Sequence, residues 1–302
     1  MTPTADHPAQ AAREQAVTDE VLASFDGAGS VRYRDVMRSL VRHLHGFARE
    51  VRLTQREWEH GIELLTRAGD ITTDKRQEFI LLSDVLGLSM LTVGINAPAA
   101  AGATESTVFG PFFVADAPEV ALGGDIARGA KGVPCYVSGT VRSTDGSPLP
   151  DARIEVWEAD EDGFYDVQYD GAESAGRGWL RSGERGEYRF WSVLPSPYPI
   201  PHDGPVGDLL MAAGRSPMRP AHLHFKVDAP GHATLITHIF VAGSEHLDSD
   251  AVFGVKNSLI VDVVQEPPGR APDASERTEA WTRMASTSCS HPSRWSSHDR
   301  SV

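Results

Sequence analysis

Cysteine is nearly missing from this chain: of its 302 residues only Cys135 and Cys289 carry a thiol. Two distant thiols exclude a disulfide framework and a cysteine-built metal centre. Long apolar runs are missing too. No stretch reaches the roughly 18 residues expected of a membrane-spanning helix, and residues 1–15 have no apolar centre of signal-peptide type. These absences set the expectation of a soluble, cytoplasmic protein with no membrane association. Basic charge is in short supply, with 28 Lys and Arg against 42 Asp and Glu, a net charge of -14. An acidic surface disfavours nucleic acid or anionic lipid as the main partner. It leaves room for a local basic site. No internal repeat stands out, and the length suits one large domain or two smaller ones.

What is present changes character near residue 100. Before it the pattern is helical. Val36, Leu40, Leu44 and Phe47 recur at helical spacing. Thr54 and Glu57 form a capping-box pattern ahead of Trp58, Ile62 and Leu65, and Gly69 suits the helix end. Asp74 and Gln77 repeat the start signal before an apolar run over 79–93, read as one helix. From about residue 104 short strands alternate with Gly, Pro and Asp turns, at 136–142, 152–158, 187–193, 221–227, 235–241 and 258–264. Long helices are absent there, which favours an antiparallel β-sandwich over a parallel sheet. After residue 265 Pro, Ser, Arg and His dominate and predict a mobile tail.

The strongest chemical signal is Arg-Pro-Ala-His-Leu-His-Phe (219–225). On a strand His222 and His224 share one face, while Leu223, Phe225 and Val227 point to the other, into a core. Two neutral imidazoles so placed suit iron, copper or zinc, and also suit a solvent-facing surface. Tyr198 sits in a segment stiffened by four prolines, Pro-Ser-Pro-Tyr-Pro-Ile-Pro. A rigid loop can hold a phenol for a metal or merely pack an aromatic ring. Tyr165 follows the turn Asp-Glu-Asp-Gly-Phe. Arg219 either pairs with a carboxylate or stabilises an anionic oxygen beside a ferric centre. His238, on the following strand, can face the same cavity. His202, in the turn Pro-His-Asp-Gly, is either a further metal ligand or an exposed turn residue, and the acidic run 158–162 either a cation site or, better, a solvated loop.

Together these segments resemble the intradiol ring-cleavage dioxygenases. The likeness runs through Glu-Ser-Thr-Val-Phe-Gly-Pro-Phe-Phe (105–113), residues 154–168, Tyr-Pro-Ile-Pro-His-Asp-Gly-Pro (198–205) and 219–225, and spans about residues 20 to 265. Within the family, 163–168, 235–241 and Asp-Ser-Asp-Ala-Val-Phe-Gly-Val-Lys (248–256) look closest to the hydroxyquinol-cleaving branch. The resemblance implies one iron(III) per subunit, with Tyr165 and His222 as equatorial ligands and Tyr198 and His224 as axial ones. It implies catalytic roles for Arg219, Tyr198 and His238. The substrate walls would be Leu81, Asp84, Val108, Phe109, Gly110, Pro111, Phe112, Ile200, Pro201 and Val252. Asp84 is either a helix-surface carboxylate or an acceptor for a third ring hydroxyl.

The implied fold is mainly β: an antiparallel β-sandwich catalytic domain over 104–265, a helical dimerisation domain over 1–103, and a Pro/Ser/Arg-rich tail over 266–302. A homodimer, and a phospholipid between its helical domains, come with the resemblance. So does the reaction: hydroxyquinol and O2 giving 3-hydroxy-cis,cis-muconate (maleylacetate). Two alternatives stay open: catechol or chlorocatechol cleavage by the same chemistry, and a noncatalytic sandwich module suggested by 138–153. Family members continue past 258–263 into a further β segment, where this chain turns Ser- and Arg-rich.

Overall fold

The computed structural model describes residues 8–73, 76–97, 102–169, 173–286 and 289–291. The chain forms two compact units, one ending at Thr66 and one beginning at Arg67.

The first unit holds α1 (Pro8–Ala23), α2 (Val31–Glu50) and most of α3 (Gln55–Asp70). Helix α2 opens at Ser30, whose side chain accepts the Tyr33 N–H. Helix α3 opens on the capping box read from the sequence: Glu57 N–H donates to the Thr54 hydroxyl at 3.3 Å, and Thr54 N–H donates to the Glu57 carboxylate at 2.9 Å. Buried Thr18 ties α1 to α2, receiving a bond from Arg49 at 2.7 Å. The apolar stripe Val36, Leu40, Leu44 and Phe47 is 43–55% exposed.

In the second unit the apolar run 79–93 is not one helix. It divides into α4 (Glu78–Val85) and α5 (Leu88–Asn96) at Gly87, whose φ of 72° is left-handed and ends the first helix. Gln77 precedes α4 but makes no side-chain cap, and Asp74 lies outside the described residues. Among the described residues no single helix is long and apolar enough to cross a membrane.

The strands follow: β1 (Pro134–Ser143), β2 (Arg153–Trp157), β3 (Arg177–Arg181), β4 (Glu187–Val193) and β5 (Tyr198–Pro199), then α6 (Pro205–Ala212). After it come β6 (Met218–Arg219), β7 (His222–Asp228), β8 (Leu235–Val241), β9 (Ile260–Val261), β10 (Val263–Glu266), β11 (Gly269–Arg270), β12 (Glu276–Arg277), β13 (Trp281–Ala285) and β14 (Cys289–His291). One sheet has the order β3-β2-β7-β8-β9; the other runs β10-β13-β1-β14, with β4 also on β1. Their inner faces meet in a single core, where Val137, Phe190 and Met284 of one sheet face Ile154, Leu180, Leu223 and Phe225 of the other. This is the expected sandwich, antiparallel except where β13 and β14 join β1 and where β9 joins β8.

The polar composition after residue 265 proves a poor guide to the end of the fold. Strand β13 buries Trp281, Thr282 and Met284, and pairs with both β1 and β10. Three buried side chains in five residues, Met284 between the sheets and Trp281 against Tyr136 and Trp191 on the other face, outweigh the polar neighbours, so the sandwich gains a strand where a tail was expected. Residues 287–288 and 292–302 of that expected tail lie outside the described ones.

Candidate metal centre and active site

Strand β7 is central in its sheet, and its alternation does what the sequence implies. Leu223, Phe225 and Val227 are fully buried in the core between the sheets. His222 and His224 emerge on the opposite face, each 1% exposed. Register brings same-face neighbours to them: Trp157 of β2 and His238 of β8 lie directly across from His224. The Trp157 ring stacks on His224 at 4.7 Å, and the His238 ring centroid is 4.1 Å away. Among the described residues, His222, His224 and His238 form a buried group whose ligand atoms lie within 4.8 Å of one another, a set able to hold a metal ion.

Two phenols arrive from loops. Tyr165 follows the turn after β2. That turn is only half a solvated acidic loop: Glu161 and Asp162 are exposed, but Glu158 and Asp160 are 2% and 8% exposed, and the Asp160 carboxylate accepts N–H bonds from Asp162 and Phe164. Tyr165 is then held from two sides. Phe112 stacks on its ring at 4.5 Å, and buried Arg177 donates both to Asp166, next in sequence, and to the Phe112 carbonyl. Tyr198 lies on β5, directly opposite Arg219 of β6. The proline-stiffened segment therefore sets a phenol against a guanidinium.

The donor atoms close a ring. Tyr165 Oη is 3.1 Å from Tyr198 Oη, Tyr198 Oη 3.5 Å from His222 Nε2, His222 Nε2 3.2 Å from His224 Nε2, and His224 Nε2 3.0 Å from Tyr165 Oη. An ion with bonds of about 2.1 Å sets ligands at right angles about 3.0 Å apart, so the four atoms have the spacing of one coordination shell. The His222 Nδ1–H donates to the Pro220 carbonyl at 2.7 Å, which leaves Nε2 as the lone-pair atom.

Electrostatics agrees with this geometry. Burial and the Arg219 charge push the His222 imidazolium down to about 3, and burial holds His224 and His238 well below the usual range, so all three rings are neutral donors at pH 7. Burial raises both phenols, Tyr165 further because Tyr198 adjoins it, while Arg219 pulls Tyr198 back. Phenols so buried become anionic only against a strong positive centre. Two phenolates and two neutral imidazoles are the hard and borderline donors that fit ferric iron.

Arg219 is 2% exposed and pairs with Asp250, itself buried, rather than with a surface carboxylate. Its Nη1 lies 3.1 Å from His222 Nε2. The Thr107 hydroxyl bonds His238 Nδ1, and His238 Nε2 has no hydrogen-bond partner among the described residues. His202 is no part of the donor ring; it bonds the Ile200 carbonyl at the edge of a cleft.

Of the expected substrate walls, Leu81, Pro111, Phe112, Ile200 and Pro201 line this cleft of about 470 Å³. Val108 and Val252 pack with Leu81 and Ile200 in one apolar cluster behind it. Gly110 touches the donor ring instead: with φ of 76°, its backbone lies so close that a Cβ would meet His224 Cε1 at 3.0 Å. Phe109 packs on Phe113 and Trp157, away from the cleft. Asp84 is 2% exposed, not a surface carboxylate, and burial lifts its carboxyl to about 6 against the pull of Ser89 and Arg219.

Sequence reasoning missed three supports of the site: Asp250, Arg177 and Thr107. Asp250 and Thr107 lie inside segments that carry the family likeness. Nothing local marks Arg177, whose partners are 11 and 65 residues away.

Comparison with known proteins agrees with the geometry. Residues 108–277 match the dioxygenase family and residues 31–104 match the catechol dioxygenase N terminus. The chain is 61% identical over 261 residues to a hydroxyquinol 1,2-dioxygenase of Rhodococcus opacus, covering 86% of this chain and 87% of the relative. It is 59% identical over 276 residues to one from Nocardioides simplex, covering 91% and 94%. The solved hydroxyquinol 1,2-dioxygenase of Pseudomonas putida DLL-E4 superposes with a TM-score of 0.86 at 41% identity, covering 94% of this chain and 100% of that one. On the sandwich fold, the buried His and Tyr set and these matches together, the chain belongs to the intradiol ring-cleavage dioxygenases, a family of iron-using enzymes.

Proposed function

We propose that this enzyme opens hydroxyquinol (1,2,4-trihydroxybenzene) with O2 to 3-hydroxy-cis,cis-muconate, the enol form of maleylacetate, in the breakdown of aromatic compounds. One iron(III) per subunit would be held by Tyr165, Tyr198, His222 and His224. The observation that carries this reading is the closed ring of four donor atoms, 3.0–3.5 Å apart, beside a buried arginine.

When bound, iron(III) supplies an electron-poor centre that draws density from a ring diolate and readies the ring for oxygen. The chain's own groups do the rest. Tyr198 Oη takes a proton from one substrate hydroxyl; burial, which raises the phenol, makes its anion a strong base. Arg219 Nη1 stabilises the anionic oxygens of substrate and product. His238, neutral and with Nε2 unpartnered among the described residues, adjusts the same charge. Leu81, Pro111, Phe112, Ile200 and Pro201 hold the ring and exclude water. Asp84 accepts a hydrogen bond from the third hydroxyl, which distinguishes hydroxyquinol from catechol.

We further propose a homodimer formed through the exposed faces of α2 and α3, a phospholipid held at that interface, and a cytoplasmic location. The division into a helical pairing segment (1–103), a catalytic segment (104–265) and an end segment (266–302) is likewise a proposal. The two family matches, which part between residues 104 and 108, support its first boundary. The compact units part earlier, at Thr66, because α4 packs on α6.

Steady-state oxygen uptake tests the substrate. Hydroxyquinol should have the higher kcat/KM, and Asp84→Ala should lower it about tenfold while leaving catechol unchanged, the size expected for one lost buried hydrogen bond. A parent enzyme that strongly prefers catechol would show the substrate to be wrongly assigned.

A further inference from the structure

Arg219 is not aimed by its own strand. It sits at the end of a two-residue strand, on a side chain with four rotatable bonds, and its direction is set by the turn 250–254. The Asp250 carboxylate accepts Arg219 Nε at 3.0 Å and Nη2 at 3.4 Å. The same carboxylate accepts the Val252 N–H at 3.3 Å and the Gly254 N–H at 2.9 Å. Both carboxylate oxygens are thus shared between the guanidinium and the backbone of the turn, and only Nη1 is left to point at the donor ring.

The turn is built tightly around this pair. Phe253 holds a φ of 59°, a left-handed conformation that a bulky residue adopts only under constraint, and its N–H donates to the Asp250 carbonyl at 3.1 Å. Gly254 has no room for a side chain at ordinary contact distance: a Cβ would lie 3.1 Å from both Arg219 Nη2 and Asp250 Oδ2. Arg215 braces the turn from outside, donating to the Ala251 carbonyl at 2.9 Å and to the Val85 carbonyl of α4 at 2.6 Å, with its guanidinium 4.9 Å from the centre of the Phe253 ring. The Ala251 N–H donates to the Met218 carbonyl, next to Arg219, at 3.1 Å. Backbone strain gathered around one carboxylate, at a buried ion pair beside the chemistry, is the mark of a functional constraint.

We infer that Asp250 is the positioning residue of the active-site arginine: it orients the Arg219 guanidinium so that a single N–H donor faces the substrate oxygens, and through the Val252 N–H it fixes the adjoining apolar wall in the same turn. The inference rests on the proposed ring cleavage. Colour and hydroxyquinol turnover of the parent protein report on that reading, and comparisons among variants report on the aiming.

The experiment uses the full-length, iron-loaded chain with Asp250→Asn, Arg219→Gln and the double variant. Asp250→Asn should keep its iron and its tyrosinate absorption band, bind hydroxyquinol more weakly in an anaerobic spectral titration, and lose about 100-fold in kcat/KM, as when one preorganised donor is removed. The double variant should be no worse than Arg219→Gln alone, because both changes remove the same interaction. A purely structural Asp250 would give losses that multiply, and that result overturns the inference, as does parental kcat/KM in Asp250→Asn. Should Asp250→Asn fail to load iron, Gly254→Ala decides: it keeps both charges and displaces them by a few tenths of an ångström. A loss of about tenfold in kcat/KM with full iron content supports the aiming role, and a parental value overturns it.

Discussion

Tyr165 and Tyr198 carry the same phenol in different settings, and the difference bears on what each can do. Tyr165 is pinned by the ring of Phe112 and by a buried Arg177 that grips both neighbouring loops. Tyr198 is stiff in its backbone, but its oxygen meets a guanidinium and a second phenol, groups that respond to charge. These surroundings support the proposed roles, Tyr165 as a fixed ligand and Tyr198 as a proton-accepting one. Replacing Tyr198 with Phe should leave iron bound by the remaining donors, shift the visible band and lower kcat about 100-fold or more, the size of a lost acid–base group. An unchanged spectrum would contradict its place on the metal. At this scale the histidine pair was legible because a strand's period of two fixes which side chains share a face. Asp84 was ambiguous because a carboxylate on a helix is buried or exposed according to what packs over it, which no local pattern records.

Glu158 shows how an element can carry a titration the sequence hides. It follows β2 inside an acidic run that reads as solvated, yet its carboxyl is buried against Ser192 and Val193, and burial lifts it to about 8. The folded protein therefore keeps this proton up to about pH 8, while the unfolded chain gives it up near 4.5. Between those values the native state binds more protons, so this group's contribution is fully present below pH 4.5 and is lost as pH rises through 8. Glu158→Gln should remove that slope. Its melting temperature should exceed the parent's at pH 9 and match it near pH 5, an effect on the order of a few kcal/mol. An equal difference at both pH values would contradict the burial argument. The sandwich strands themselves were legible, since β1, β2, β4, β7 and β8 fall where alternation and turn residues put them. Strand β13 was not, because Trp281 and Met284 are isolated among Ser, Thr and Arg; only packing brought by the fold makes them core, Met284 between the sheets and Trp281 with Tyr136 and Trp191 on the outer face of its own sheet. The division of 79–93 was not read either, although Gly87 stood in the sequence as its signal.

The whole molecule carries its apolar surface unevenly. On α2 and α3 Val36, Leu40, Leu44, Phe47, Trp58, Ile62 and Leu65 are each between 43% and 55% exposed. A monomer rarely presents such a stripe, and a second copy of the chain is its proposed cover. Leu40→Glu with Leu44→Glu should turn a dimer into a monomer by light scattering while helical circular dichroism stays intact; an unaltered mass would place the interface elsewhere. One iron in a ring of two phenols and two imidazoles is tested most directly by a visible absorption spectrum. Protein purified from iron-replete cells should be burgundy, with one iron per chain and a tyrosinate-to-iron band that changes when hydroxyquinol is added without oxygen. A colourless protein, or a band indifferent to hydroxyquinol, would contradict the account.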